Sequence, residues 1–442
     1  MLQTLFHIPS SWLGIPGVIA WCLICAVWLV AFGIRDAVRK EGKLLQEFLG
    51  MLPVLGTGIV VIFFLLPNMQ VRGVDPANPV DAMVDQGLAI RGYGVMLMLA
   101  VMAGMALALI RCPRLSISRE HLFQLAIWMI GSGLVGARLF FVIQNRANFF
   151  PEGATFAQVM GAIFNMAEGG LVVFGSLIGA LLGGAFVIWR RKLPLLATAD
   201  LVAPAMAIGL SIGRIGCLMN GCCWGGVCDA PLPVIQFPAG SPPWVQHLYQ
   251  GQLLGLKTRS AGEDPDSLVR EIVEVKDGIG AELGLEVGDV ISVRALEAER
   301  LRFLVGDPRG ADAAKELIFA IESQQQGILR VPLNKLPSVS RAVHPTQIYS
   351  SINALILCLF LWCYWYVRKA DGEVIALMLV LYSVSRFLLE LIRNDELGQF
   401  GTDLTISQIV SLGALVAGIS LFFWCRMFGK RMPEVPLTPK NT

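Results

Sequence analysis

The sequence predicts an all-α polytopic membrane protein of about nine transmembrane helices, interrupted by one extracytoplasmic, β-rich insert. Three observations predict it. Hydrophobic residues fill 55% of the 442 positions and charged residues only 15%, whereas an ordinary soluble domain carries about 25% charged residues. Charge is also gathered in one place: 25 of the 68 Asp, Glu, Lys and Arg residues fall within Arg259–Lys335. Nine apolar stretches are long enough, at about 1.5 Å per residue, to cross or nearly cross a hydrocarbon core of about 30 Å. A single soluble domain is excluded. The net charge of +2 leaves no basic face for nucleic acid.

In chain order the predicted spans are Trp12–Ile34, Phe48–Asn68, Leu88–Ile110, Leu122–Ile143, Gly169–Trp189, Ala199–Met219, Gln347–Val367, Val374–Ile392 and Leu404–Trp424. Basic residues follow the first span (Arg35, Arg39, Lys40 and Lys43) and none precedes it. That order is the reverse of a cleavable signal peptide, so the span is expected to be retained. Sixteen Lys and Arg residues in the short loops and tail fall on one side, and only Arg72, Arg146 and Arg393 on the other. The richer side is expected in the cytoplasm, with the N-terminus outside and the C-terminus inside.

Residues 226–343 are then outside. Within them VREIVEV, DVISVRAL and ILRVPL alternate apolar and polar residues as strands do, and the stretch around Ala313–Ser323 reads as a helix. The segment GIGAELGLEVGDVI, Gly278–Ile291, resembles the carboxylate-binding loop and second strand of a PDZ domain, which would occupy about 269–335. An extracytoplasmic β-rich loop without a ligand is the other reading.

Each charge inside a span costs at least about 2.5–3.5 kcal/mol, so Arg138, Arg214, Arg386 and Glu390 need partners or tasks. Arg386 and Glu390 are spaced for an intrahelical ion pair. Arg91, Glu168, Asp200 and Arg393 lie nearer the interfaces, where snorkelling relieves the cost. Arg138 and Arg214 lack local partners and sit among glycines, in GSGLVGAR and GLSIGRIG. Close helix packing, with each arginine bonded to carbonyls, accounts for the glycines. A phosphate ligand accounts for the guanidinium as well, with Gly209, Gly213 and Gly216 walling a cleft in which Arg214 presents its planar fork.

Of the ten cysteines, Cys217, Cys222, Cys223 and Cys228 cluster. Their spacing lacks a paired C-x-x-C and falls largely in a helix, so no metal site is expected. A disulfide from Cys228 to Cys222 or Cys223 stays open, and Cys217 reads as small-residue packing.

The order of motifs carries a resemblance. IRGYG (Ile90–Gly94), GARLFFV (Gly136–Val142), GGLVVFGSLIG (Gly169–Gly179), DLVAPAMAIGLSIGRIGCLMNGCCWG (Asp200–Gly225), HPTQIY (His344–Tyr349), YSVSRFLLELIRND (Tyr382–Asp395) and LTISQIVSL resemble, in sequence, the prolipoprotein diacylglyceryl transferases. The resemblance spans about Leu88–Trp424, seven of the nine spans. It implies a catalytic core split into 88–225 and 344–426, two additional N-terminal spans within 1–70 and a cytoplasmic tail at 427–442, in a bacterial inner membrane. It further implies transfer of the diacylglyceryl group from phosphatidylglycerol to the lipobox cysteine of a prolipoprotein signal peptide, without a cofactor. By matching position, Arg214 would bind the head group, Tyr382 and Arg386 would be essential, and Tyr93, Arg138, Asn220 and His344 would line the same cavity.

The chain departs from the common pattern where Phe174 replaces a His, Ser176 a Gly, and Cys217 and Cys222 an Asn and a Glu. Phe174 cannot accept a proton. Forming a thiolate at pH 7 costs only about 2 kcal/mol, however, for a thiol of pKa about 8.5. Expelling a phosphate monoester is the harder demand, so the arginines carry more weight than any base. His344 is the remaining base candidate. Another class of function, a catalytically silent relative whose insert binds exported proteins by strand addition, is tested by deleting the insert. Lipid or ion transport would call for discontinuous helix pairs or internal repeats, and the sequence has neither.

Overall fold

A computed structural model describes residues 4–8, 15–39, 72–74, 83–85, 88–115, 117–150, 155–164, 170, 172–228, 233–261, 269–295, 318–393 and 404–429. The principal helices are α1 (Ile15–Arg39), α2 (Gly92–Arg111), α3 (Arg119–Gln144), α4 (Phe156–Phe164), α5 (Val173–Arg191), α6 (Leu195–Asn220), α7 (Pro242–Tyr249), α8 (Thr346–Tyr364), α9 (Glu373–Glu390) and α10 (Ile406–Phe428). Among the described residues α2 with its following turn, α3, α5, α6, α8 and α10 are six helices long and apolar enough to cross a membrane. Helix α9 has 18 residues, but Glu373, Arg386 and Glu390 make it more polar. The predicted span Phe48–Asn68 lies outside the described residues, as does Glu168.

The long helices associate in pairs, α3 along α5 and α2 along α6, while α8 packs on α6 and α9 on α10. The α3–α5 contact needs glycine. A Cβ on Gly136 would collide with the backbone oxygen of Gly175, and one on Gly175 with that of Gly136. Backbones that approach so closely replace the hydrophobic drive that lipid does not supply.

An apolar core around Leu201, Leu357, Leu361 and Val374 joins α6, α8 and α9. Beside it Asp200, fully buried, binds Arg368 at 2.9 Å and accepts the amides of Gly372 and Ile375 at 2.8 and 2.9 Å. This carboxylate therefore caps the start of α9, and the snorkelling expected of it does not occur. Buried Arg111 lies over the ring of Trp362 at 3.6 Å and that of Trp365 at 4.7 Å.

The chain leaves α6 and returns to α8 as one paired stalk: Val227 and Ile235 both bridge Val343, and Pro238 bridges Val339. Beyond it, α7 packs with an antiparallel meander of β5 (Leu256–Ser260), β6 (Val269–Val275), β7 (Val290–Ala295), β8 (Ile318–Ser323) and β9 (Gly327–Pro332), in that order. Numbering starts from β1 (Thr4–Ile8), which pairs with β4 (Leu88–Arg91) before α2, and the short pair β2 (Arg72–Val74) and β3 (Met83–Asp85). Trp244, Leu254, Ile272, Ile291, Phe319 and Ile321 form the insert's own core.

The three predicted strands are present. The helix expected around Ala313–Ser323 is corrected: its described part, Ile318–Ser323, is strand β8, hydrogen-bonded to β7 and β9. Phe319 and Ile321 are buried two residues apart, the period of a strand facing a core. Over Ile318–Ser323 the PDZ-like reading relied on a helix, and a strand stands there. Its motif Gly278–Ile291 forms a helical turn, Ile279–Glu282, followed by a turn into β7.

Candidate active site

The pairs α2–α6 and α3–α5 face one another across a cavity of about 800 Å³. Its length is apolar, from Leu97 and Val101 on α2 through Met129 and Ile130 on α3 to Met206 and Leu210 on α6. From Tyr93 to Ala108, both in its wall, α2 rises about 22 Å at 1.5 Å per residue. Leu97, Val101, Ile130 and Met206 remain exposed, so among the described residues nothing covers this apolar length between the helices. One end is polar, lined by Tyr93, Arg214, Cys217, Asn220, Cys222 and Cys223. The shape is that of an amphiphile.

Arg214 occupies this polar end less than two turns before α6 stops at Asn220. Among the described residues no carboxylate lies in ion-pair range of it. The groups in its field are Cys223, Tyr382, Cys217 and the like-charged Arg393. Glycine clears its approach: Gly209 and Gly213 line the cavity, and a Cβ on Gly213 would meet nothing within 4 Å. Gly216 has a different task. A Cβ there would press to 3.1 Å on the ring of Tyr93, so its absence lets the tyrosine lie against α6.

Helix α6 ends on Gly221 at φ +75°, a conformation glycine adopts without strain. The amides of Gly221 and Cys222 both bond the Cys217 carbonyl, at 2.9 and 3.1 Å. The chain thereby folds back, and the sulfurs of Cys217, Cys222 and Cys223 all come within 4.8 Å of one another. Buried Thr346 and Gln347 of α8 hold this loop, donating to the carbonyls of Cys223 at 2.7 Å and Cys222 at 2.8 Å. Cys228 is buried and is not joined to another cysteine. The disulfide left open for it is not formed, and the cluster takes Cys217 in its place.

The structure brings only some predicted residues to the cavity. Tyr93, Arg214 and Asn220 line it, and Tyr382 and Arg386 of α9 stand in the same electrostatic neighbourhood as Arg214. Arg386 is already engaged, by Glu390 at 2.6 Å and by the Ser407 hydroxyl at 2.9 Å. The ion pair read from their spacing is present. Glu390 also meets Arg393 at 3.4 Å.

Arg138 and His344 are not among the lining residues. Buried Arg138 donates to the carbonyls of Ile163 at 2.8 Å, Ala162 at 2.9 Å and Gly170 at 3.2 Å, tying the end of α4 to the approach of α5. His344 lies where the stalk re-enters α8, its amide and carbonyl bonded to Gly226 and Gly225 and its ring 6.5 Å from that of Tyr349. Ser176 lines the cavity while Phe174 does not.

Arg393, near the interface by its position in the sequence, shares Glu390 with Arg386, and its place three residues beyond Glu390 is the signal for that contact. Thr346 and Gln347 stand in the HPTQIY motif, and their bonds to the cysteine loop are a feature of the fold that the motif alone does not announce.

Residues 80–424 match the family described as prolipoprotein diacylglyceryl transferase. A phosphatidylglycerol–prolipoprotein diacylglyceryl transferase of Rhodopirellula baltica is 32% identical over 451 residues, covering 96% of this chain and 89% of that one. Similar proteins of the same printed activity occur in Clostridium perfringens, 27% identical over 78% of this chain and 94% of its own, and in Clostridium tetani, 24% identical over 76% and 93%.

Proposed function

Because the chain belongs to the prolipoprotein diacylglyceryl transferase family, we propose that it moves the diacylglyceryl group of phosphatidylglycerol onto the lipobox cysteine of a prolipoprotein, releasing glycerol phosphate. One observation carries this reading: Arg214, without a carboxylate partner among the described residues, heads an apolar cavity whose side no described residue covers. Acyl chains take the apolar length and the phosphate takes the guanidinium.

The acceptor's signal helix lies in the same membrane as the lipid, so thiol and lipid meet at high effective concentration. The acceptor thiol gives up its proton to water, the thiolate sulfur attacks the glycerol carbon, the C–O bond to phosphate breaks, and the electron pair leaves on the phosphate oxygen. Arg214 stabilises that charge as it develops, which is worth most in a site of low dielectric. Tyr382, Arg386 and Arg393 supply the second side of this field, with Glu390 fixing both arginines. Tyr93 and Asn220 orient the head group. Arg138 acts through the segment it ties down, and His344 stands where glycerol phosphate departs.

Nine spans, an outer N-terminus and a cytoplasmic C-terminus complete the reading, supported by the Lys and Arg distribution. The insert lies outside, its PDZ-like character confined to Gly278–Ile291. The test is transfer from labelled phosphatidylglycerol to a lipobox peptide, in membranes lacking any other such transferase. The intact protein converts the peptide, and Arg214→Ala loses about a hundredfold or more, the usual effect of removing a donor to a developing oxyanion. No conversion by the intact protein overturns the proposal.

A further inference from the structure

The proposed transfer assigns no task to the three thiols beside Arg214. The sulfurs of Cys217, Cys222 and Cys223 lie within 4.8 Å of one another, half-buried, in the wall of the cavity. Sulfurs bound tetrahedrally to one zinc ion at about 2.3 Å stand about 3.8 Å apart, so small side-chain rotations suffice to share a cation.

The backbone is arranged for this proximity. Cys223 has φ +60°, one of two non-glycine residues with positive φ among those described, at a cost of about 1–2 kcal/mol. A small side chain used only as filler would not need that conformation. The loop is also held from behind, by Thr346 and Gln347, each 1% exposed, as the supports of metal ligands commonly are. Arg214 and Arg393 lie in the field of Cys223 and offset negative charge on the sulfurs. Finally, among the described residues the cavity lining contains no imidazole and no carboxylate, although the transfer must release the acceptor thiol's proton.

We infer that Cys217, Cys222 and Cys223 bind a zinc ion as three thiolates, and that its fourth position, facing the cavity, takes the acceptor cysteine and holds it as the thiolate nucleophile. Zinc suits the task because it takes thiolates, does no redox chemistry and keeps an open position when three protein ligands hold it. A thiol that coordinates it is deprotonated outright. The acceptor's proton passes to water as the zinc–sulfur bond forms. The sulfur then bonds the glycerol carbon, the carbon–oxygen bond breaks, and its electron pair leaves on the phosphate held by Arg214. The product is an uncharged thioether, a weak ligand, and it departs. The role given to the acceptor rests on the transferase reading; the presence of the ion does not.

The test uses the full-length protein in phosphatidylglycerol nanodiscs, stripped with a chelator and titrated with Co²⁺ as an optical stand-in for Zn²⁺. One equivalent should bind with thiolate-to-cobalt charge-transfer absorption. The band should vanish in Cys217→Ser, Cys222→Ser and Cys223→Ser and persist in Cys363→Ser. A lipobox peptide with cysteine should shift it, and the same peptide with serine should not. Zn²⁺ should displace the cobalt and raise transfer at least tenfold over the stripped protein. Because the band is read first on the wild-type chain, a serine variant that fails to fold does not hide the answer. A wild-type titration without the band overturns the inference, as does a disulfide between any two of the three sulfurs in the purified protein. Full transfer by a metal-free triple serine variant would sink the zinc while sparing the transferase. A peptide-sensitive cobalt band in a protein that transfers nothing would do the reverse.

Discussion

Gln347 and Cys222, 125 positions apart, are joined by a 2.8 Å hydrogen bond from the glutamine Nε2 to the cysteine carbonyl. Thr346 makes the neighbouring bond to Cys223 at 2.7 Å. Removing either donor leaves a carbonyl without its partner, at about 1–3 kcal/mol. Gln347→Leu and Thr346→Val are therefore expected to loosen the cysteine loop. Alkylation of Cys222 and Cys223, read by mass spectrometry, should quicken several-fold, with kcat falling more than the thermal midpoint suggests. Unchanged alkylation would show that the loop holds itself.

Gly213 offers a way to close the cavity without disturbing the helix pairs. Nothing lies within 4 Å of the Cβ it lacks. Gly213→Leu should place its side chain in the open space beside Arg214, keep the thermal midpoint within a few degrees, and abolish transfer. Retained activity would mean that the lipid does not use that space.

Gly175 gives the opposite outcome. A side chain there strikes the backbone of Gly136, so Gly175→Val must part α3 from α5. Overpacking of this kind costs about 1–3 kcal/mol, and the thermal midpoint in detergent should drop accordingly. An unshifted midpoint would contradict the close backbone contact.

His247, in α7, is buried, and its pKa is pushed down to about 4, chiefly by burial and secondly by Arg341. In the unfolded chain it titrates near 6.5. The unfolded state thus binds more protons between these values, so this contribution to stability is full above about pH 6.5 and is lost as pH falls toward 4. Limited proteolysis within the insert during thermal unfolding at pH 7, 6 and 5 should show that decline. The variant His247→Gln should flatten it; an identical decline in the variant would assign the effect to other groups.

Much of the architecture was legible because hydropathy reports lipid exposure directly. Seven predicted spans, from Leu88–Ile110 to Leu404–Trp424, fall on α2, α3, α5, α6, α8, α9 and α10 within a few residues. The pair Arg386–Glu390 was legible too, since four residues on one helix fix their distance. Ile318–Ser323 was misread because IFAIES has apolar residues at both periods, and only pairing with β7 and β9 decides between them. Arg138 donates to main-chain carbonyls at residues 162, 163 and 170, which no side-chain pattern announces. The four clustered cysteines were legible, but the convergence of three of their sulfurs was not, for a local reason. A linear spacing of Cys217, Cys222 and Cys223 does not reveal that Gly221 reverses the chain over the helix end. The sequence located Arg214, and the structure supplied the cavity it heads.

The central claim is that an anionic lipid lies in that cavity with its phosphate on Arg214. The most direct test is photo-crosslinking with phosphatidylglycerol carrying a diazirine in one acyl chain, with the labelled residues mapped by mass spectrometry. Labels should fall on cavity residues such as Leu97, Ile130 and Met206 in the wild-type protein and largely disappear in a folded Arg214→Ala variant. Equal labelling of those residues in the variant, or labels confined to the outward faces of the helices, would contradict it.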